Sequence, residues 1–200
     1  ACRVLQESGA RDRLEAADTL TPLVGRTQEL ATLLALWQQA QQGSPRAVLL
    51  QGDAGIGKSR LVLALKQALK DTPFASTEMR CVPEYSQTPF HPLIELFQAT
   101  MGFVATDSTL SRAQKLAQYV ATHYPGEQAD VHALLAKLLS LPMPSPANDA
   151  LTTSPRQRER TLQIVLERLY TMAQPRPVLL VVEDLHWADD SSLDLLQHLL

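Results

Sequence analysis

The chain has 200 residues, of which 45% are hydrophobic and 20% charged, and its formal net charge at pH 7 is −3. This length and composition are typical of a globular protein with one substantial domain. The slightly acidic balance argues against direct nucleic-acid binding by this segment, and no apolar stretch approaches the roughly 20 residues that a membrane-spanning helix needs.

The first 21 residues are charge-rich, and we interpret them as a linker or as the tail of an upstream domain, followed by one domain over residues 22–200. From Thr27 onward an apolar residue recurs at helical spacing, which predicts an amphipathic helix. The apolar positions of this helix are Leu30, Leu33, Leu34 and Trp37. After a break at Gly43, residues 47–51 (AVLLQ) predict a buried strand.

A glycine-rich loop follows this strand and matches the phosphate-binding pattern G-x-x-x-x-G-K-[ST]. Its glycines permit a backbone that turns N–H groups toward an anion, and a helix beginning near Lys58 adds its positive end. Lys58 is placed to reach the β- and γ-phosphates, and the Ser59 hydroxyl to ligate Mg²⁺. The alternative is an ordinary glycine-rich turn between a strand and a helix. The predicted binding residues are Gly52, Asp53, Ala54, Gly55, Ile56, Gly57, Lys58, Ser59 and Arg60.

The middle of the chain is predicted to be mostly helical. A second strand is expected at residues 76–82, then an irregular proline-rich stretch at 83–92. Helices are expected at 93–101, 110–123 and 131–141, an exposed connection at 141–155, and a further helix after Pro155. The section 93–141 has no assigned role.

A second cluster of functional candidates follows the apolar run 178–182, which predicts a strand buried on both faces. Glu183 and Asp184 come directly after it, where ligands of α/β sheets bind. Carboxylates there can hold the Mg²⁺ water shell or orient an attacking water. The alternative is a strand whose acidic end caps the next helix.

The final helix is predicted to be capped by Asp189 or Asp190, with Ser191 and Asp194 in capping-box spacing. One interpretation of His186 and Trp187, which lie just before this helix, predicts that they contact the nucleotide or a neighbouring loop. The equally weighted alternative is that Trp187 packs under the sheet edge and His186 is solvated.

Three segments together resemble the AAA-type ATPase domain of STAND-class signalling proteins. They are PLVGRTQEL at residues 22–30, GDAGIGKSRL at 52–61 (Walker A) and VLLVVEDLHWADDSSLDLL at 178–196 (Walker B and beyond). The resemblance implies a three-layer α/β P-loop NTPase of the ASCE/AAA type with a mostly parallel sheet. It also implies a helical insertion between the second strand and the Walker B strand. The fold is expected to be incomplete at the C-terminus, with a further strand, a sensor residue, an arginine finger and a helical lid after Leu200.

The resemblance further implies ATP and Mg²⁺ as cofactors, with Val24, Gly25 and Arg26 near the base; the alternative is a simple helix-entry turn. Lys58, Glu183 and Asp184 become the expected catalytic residues, and Ser59, Glu183 and Asp184 the expected metal ligands. The expected protein is a slowly hydrolysing switch module of a multidomain cytoplasmic signalling protein.

The partners expected from the resemblance are ATP or ADP, other domains and further copies of the chain in ATP-dependent self-association, without nucleic acid or membrane. Alternatives are a scaffold that assembles on ATP without significant hydrolysis, or the ATPase part of a transcriptional regulator. The N-terminal segment is also similar to the junction that follows a class III nucleotide cyclase in some members.

Overall fold

A computed structural model describes residues 24–142 and 155–200 of the chain. The chain divides into two compact units, which we call unit 1 (Ala1–Pro73) and unit 2 (Phe74–Leu200). The interpretation of residues 1–21 as a linker lies outside the described residues, as does nearly all of the connection predicted at 141–155.

Unit 1 contains the helices α1 (Thr27–Gln41) and α2 (Lys58–Leu69) in its described part. Both were predicted from apolar periodicity, and both bury the predicted face. The two helices contact each other. Their buried side chains are Leu33, Trp37, Leu61, Leu65 and Leu69. The spacing of these residues places them on one stripe of each helix, which is why burial follows the pattern in the sequence.

The strand predicted at residues 47–51 is wrong. None of these residues belongs to a strand, and Val48 and Leu49 are 48% and 73% exposed. A strand needs a neighbour to pair with its backbone N–H and C=O groups. The described part of unit 1 contains no strand, so within that unit this apolar run has no strand with which to pair.

Unit 2 is built on two parallel strands, β1 (Ala75–Arg80) and β2 (Val178–Glu183), in a register that runs from Ala75↔Val178 to Arg80↔Glu183. Parallel strands need a long crossover, and here it consists of four described helices. These are α3 (His91–Thr100), α4 (Thr109–His123), α5 (Gln128–Leu138) and α6 (Pro155–Ala173). The prediction of a mainly helical section between two strands is therefore confirmed, with boundaries shifted by a few residues.

Helix α7 (Asp190–Leu199) follows β2 and contributes to the core of unit 2. The apolar faces of α3 to α7 enclose side chains that are at most 1% exposed: Leu93, Leu116, Val131, Leu135, Ile164 and Leu195. No helix in the described ranges combines the length and apolarity needed to cross a bilayer.

The prediction that β2 is buried on both faces is wrong. All six of its residues are half-buried. In the described sheet β2 has one partner strand, β1, and contacts helix α6. A strand is fully covered only when strands flank it and helices cover both faces, so its apolar sequence alone did not determine its burial.

Candidate functional site

The loop that precedes α2 depends on two glycines with positive φ. Gly55 has φ 79° and Gly57 has φ 97°, both in the left-handed region that other residues rarely adopt. A Cβ added at either position would meet no described atom within 4 Å. The backbone conformation therefore favours glycine at both positions. Because glycine has no side chain, the space beside the loop is open, and an anion can approach the backbone amides there.

Lys58 closes this loop on itself. Its ammonium Nζ donates hydrogen bonds to the carbonyl oxygens of Gly52 at 2.8 Å and Asp53 at 2.9 Å. The positive charge is therefore held over the first residues of the loop by two neutral acceptors. A phosphate oxygen is a stronger acceptor for an ammonium than a carbonyl, because the bond is then charge-assisted on both sides.

The N-terminal end of α2 supplies N–H groups beside the same loop. The first hydrogen bond of the helix is donated by the Leu61 N–H to the Gly57 carbonyl at 3.0 Å. The N–H groups of Lys58, Ser59 and Arg60 precede this bond, so they have no acceptor within the helix. Together with the helix dipole, they form an electropositive end suited to an anion.

The segment at residues 24–26 is tied to the loop through Arg26. One guanidinium nitrogen of Arg26 donates to the Ile56 carbonyl at 3.2 Å, and the other pairs with Glu29 at 2.6 Å. The Arg26 hydrogen bond lowers the pKa of Glu29. Gly25 has φ 74°, and Val24 is 86% exposed. The predicted base-side segment and the phosphate-type loop are thus neighbours within unit 1.

The acidic residues after β2 occupy two different environments. Glu183 is the last residue of the strand, and its side chain has no hydrogen bond or ion pair within the described part of the chain. Asp184 has a left-handed backbone (φ 55°), and its Oδ2 lies 3.5 Å from Nε of Arg80. Sequence reasoning missed Arg80, because only the strand register places it beside the acidic pair.

Asp189 is the N-cap of α7, as one of the two predicted alternatives stated. It is 4% exposed, and its Oδ1 accepts hydrogen bonds from the N–H groups of Ser191, Ser192 and Phe90, each at 3.0 Å. The predicted capping box from Ser191 to Asp194 is wrong. Ser191 lies inside the helix, and Asp194 pairs with Arg158 instead.

The aromatic residues near the acidic pair are exposed. Trp187 is 41% exposed, and its ring lies 5.0 Å from that of His186, which is also exposed. The alternative in which Trp187 packs under the sheet edge is therefore wrong, while the solvated His186 is confirmed.

No cluster of three or more histidine, cysteine or acidic side chains suited to a metal ion occurs among residues 24–142 and 155–200. Mg²⁺ is typically held by one or two carboxylates together with water and substrate phosphates. The Ser59 hydroxyl in unit 1 and, separately, the Glu183 and Asp184 carboxylates in unit 2 carry oxygen atoms of the kind that this ion prefers.

These features describe an α/β chain with a glycine loop that opens a helix and carboxylates that end a parallel strand. Residues 22–200 match the AAA ATPase domain family, and the chain belongs to that family. Membership implies an α/β P-loop fold and a nucleotide-binding ATPase module.

An uncharacterized protein of Rhizobium meliloti (strain 1021) is 29% identical over 177 residues, which are 88% of this chain. The chain spans only 17% of the length of that relative. No solved structure matches the chain significantly.

Proposed function

We propose that the chain is the ATP-binding and slowly ATP-hydrolysing switch module of a larger signalling protein of the STAND class. The observation that carries the proposal is the loop at residues 52–59. Its glycine backbone, the Lys58 ammonium and the N–H groups in the first turn of α2 all favour an anion within one short segment.

In this proposal the loop amides and Lys58 bind the phosphates, and Ser59 helps to hold Mg²⁺. The ion neutralises phosphate charge and orients the γ-phosphoryl group. Arg26 holds the adjoining segment against the loop through Ile56, which supports Val24, Gly25 and Arg26 as contacts on the base side.

We assign different roles to the two carboxylates. Asp184 forms an ion pair with Arg80, whereas Glu183 has no such partner among the described residues. An unpaired carboxylate is the better acceptor for a proton from water. Glu183 is therefore proposed to orient the attacking water, and Asp184 to hold the Mg²⁺ water shell.

Slow turnover suits a switch, because its output depends on the difference between ATP-bound and ADP-bound states. The large share of the Rhizobium relative that lies beyond the matched region supports a multidomain protein. We further propose that ATP promotes contacts with other domains or self-association of the chain.

The test is ATP binding by Lys58→Ala, with Lys70→Ala at the end of the same helix as the control. Lys58→Ala removes the proposed charge-assisted contacts with the β- and γ-phosphates, so we expect this variant to bind ATP on the order of 100-fold more weakly. Lys70→Ala should bind ATP with unchanged affinity. Equal affinity of both variants by calorimetry overturns the assignment of the loop.

Hydrolysis is tested separately with the variant Glu183→Gln, which retains the shape of the side chain. The measurement is the rate at which this variant releases phosphate from ATP. The proposal predicts normal ATP binding and at least tenfold slower release. If Glu183→Gln and Asp184→Asn both bind ATP normally and both release phosphate at an unchanged rate, the result would instead support a scaffold that assembles on ATP without hydrolysis.

A further inference from the structure

A cavity of about 180 Å³ lies in unit 2, between β1 and the helices α3, α4 and α6. Its buried lining consists of Leu93, Phe97, Tyr119 and Val165, whereas the lining residue Thr100 is exposed to solvent. A cavity of about 150 Å³ can hold benzene, so this volume suits a ligand of roughly six to nine heavy atoms.

One wall of the cavity carries the cationic side chain of Arg168 on α6. Its Nε is buried and has no hydrogen-bond partner, and no carboxylate of the described residues pairs with it. Two other arginines of α6 do have acidic partners, Arg158 with Asp194 and Arg160 with Glu127. Arg168 thus differs from its neighbours in having a positive charge beside an apolar cavity without a counter-charge.

The cavity lining is mainly apolar, with hydroxyl groups from Ser76, Thr77 and Thr100. Partial burial of a guanidinium there costs desolvation free energy, which an anionic acceptor recovers better than neutral hydroxyl groups do. A hydrogen bond between Arg168 and Tyr119 compensates in part for the desolvation of the guanidinium. Burial raises the pKa of Tyr119, and hydrogen bonding by Arg168 opposes that rise. A phenol is a neutral acceptor, and Arg168, which is half-exposed, forms no ion pair with a carboxylate of the described residues.

We propose that this cavity binds a small monocarboxylate with a compact apolar body. Its carboxylate pairs with the Arg168 guanidinium, and its body contacts the rings and aliphatic side chains that line the cavity. A neutral apolar ligand leaves Arg168 without an acceptor, and inorganic phosphate leaves the apolar walls uncovered. The site shares no residue with the loop at 52–59 and does not depend on the proposed ATPase function.

The probe is sodium benzoate, and its neutral analogue is benzyl alcohol. Binding to the full chain is measured by calorimetry for the unmodified protein, for Arg168→Met and for the control Arg156→Met, an exposed position on the same helix. Because a guanidinium–carboxylate pair is a charge-assisted bond, we expect benzoate to bind Arg168→Met at least tenfold more weakly and Arg156→Met normally. Benzyl alcohol is expected to bind the unmodified protein at least tenfold more weakly than benzoate.

A second measurement locates the ligand without any variant that might alter folding. Met172 lines the cavity, whereas Met101 is buried in the core and does not line it. In a protein labelled with ¹³C at the methionine methyl groups, benzoate should shift the Met172 resonance and leave that of Met101 in place.

The proposal is overturned if benzoate shows no binding up to about 10 mM, or if the Met172 methyl resonance does not respond. It is equally overturned if benzoate binds Arg168→Met as tightly as the unmodified protein, or if benzyl alcohol binds as tightly as benzoate.

Discussion

Replacing Asp189 by alanine should destabilise unit 2 more than any other change of a charged residue near α7. The carboxylate accepts three backbone N–H bonds at 3.0 Å through Oδ1 and the Ser192 hydroxyl at 2.6 Å through Oδ2. Loss of an N-cap costs about 1 kcal/mol, and the buried Phe90 N–H and the Ser192 hydroxyl each add about 1–3 kcal/mol when left without an acceptor. We expect the free energy of unfolding of unit 2 to fall by about 3–7 kcal/mol.

The two tryptophans of the chain allow this effect to be measured in one unit. Trp37 lies in unit 1 and Trp187 in unit 2, two residues before Asp189. In a Trp37→Phe background, Trp187 fluorescence during urea unfolding reports the stability of unit 2 alone. Asp190→Ala, an exposed neighbour in the first turn of α7, is the matched control and should cost at most about 1 kcal/mol.

Asp189→Asn provides an intermediate case. The amide keeps one acceptor oxygen for the backbone N–H groups but loses the charge, so we expect a loss of about 1–2 kcal/mol. If Asp189→Ala destabilises unit 2 no more than Asp190→Ala does, the inference that Asp189 joins the start of α3 to the start of α7 is refuted.

Two further predictions concern ionisable groups of unit 2. Burial raises the pKa of Cys81 to about 11, so in a Cys2→Ser background its reaction with a thiol reagent at pH 8 should be at least ~100-fold slower than in urea; similar rates would contradict this. Hydrogen bonds from Lys115 and from the Val104 N–H lower the pKa of Asp107 to about 2. Asp107 therefore stabilises the fold above about pH 4, and the effect is lost as the pH falls through about 2. Lys115→Met should raise the Asp107 pKa, as measured by carboxyl ¹³C NMR, and an unchanged value would disprove the pairing.

Much of the helical framework could be predicted because its signals are local. The stripe through Leu33 and Trp37 and the stripe through Leu61, Leu65 and Leu69 give the buried faces of α1 and α2 directly from spacing. The burial of Ile164 on α6, which is 1% exposed, was not predicted from the sequence. Ile164 packs into the core of unit 2. The spacing of apolar residues within α6 does not indicate which other element of the chain covers this side chain.

The residues of the loop at 52–59 were also predictable, because the glycine positions and the following helix are properties of a short segment. Gly55 and Gly57 do have positive φ, and α2 does begin at Lys58. The bonds from Lys58 to two loop carbonyls and from Arg26 to Ile56 were not predictable, since each depends on the rotamer of a long side chain in the folded unit.

The sequence by itself determined where the helices form, where a parallel strand ends in two acids and where a glycine loop opens a helix, because these follow from periodicity and backbone preference over a few residues. The tertiary structure alone decided which strands pair, how far β2 is buried, and that Asp189 accepts a hydrogen bond from Phe90, 99 positions away. Pairing and burial require a partner from a distant part of the chain. The apolar run at 47–51 shows the consequence, since without such a partner among the described residues it does not form a strand.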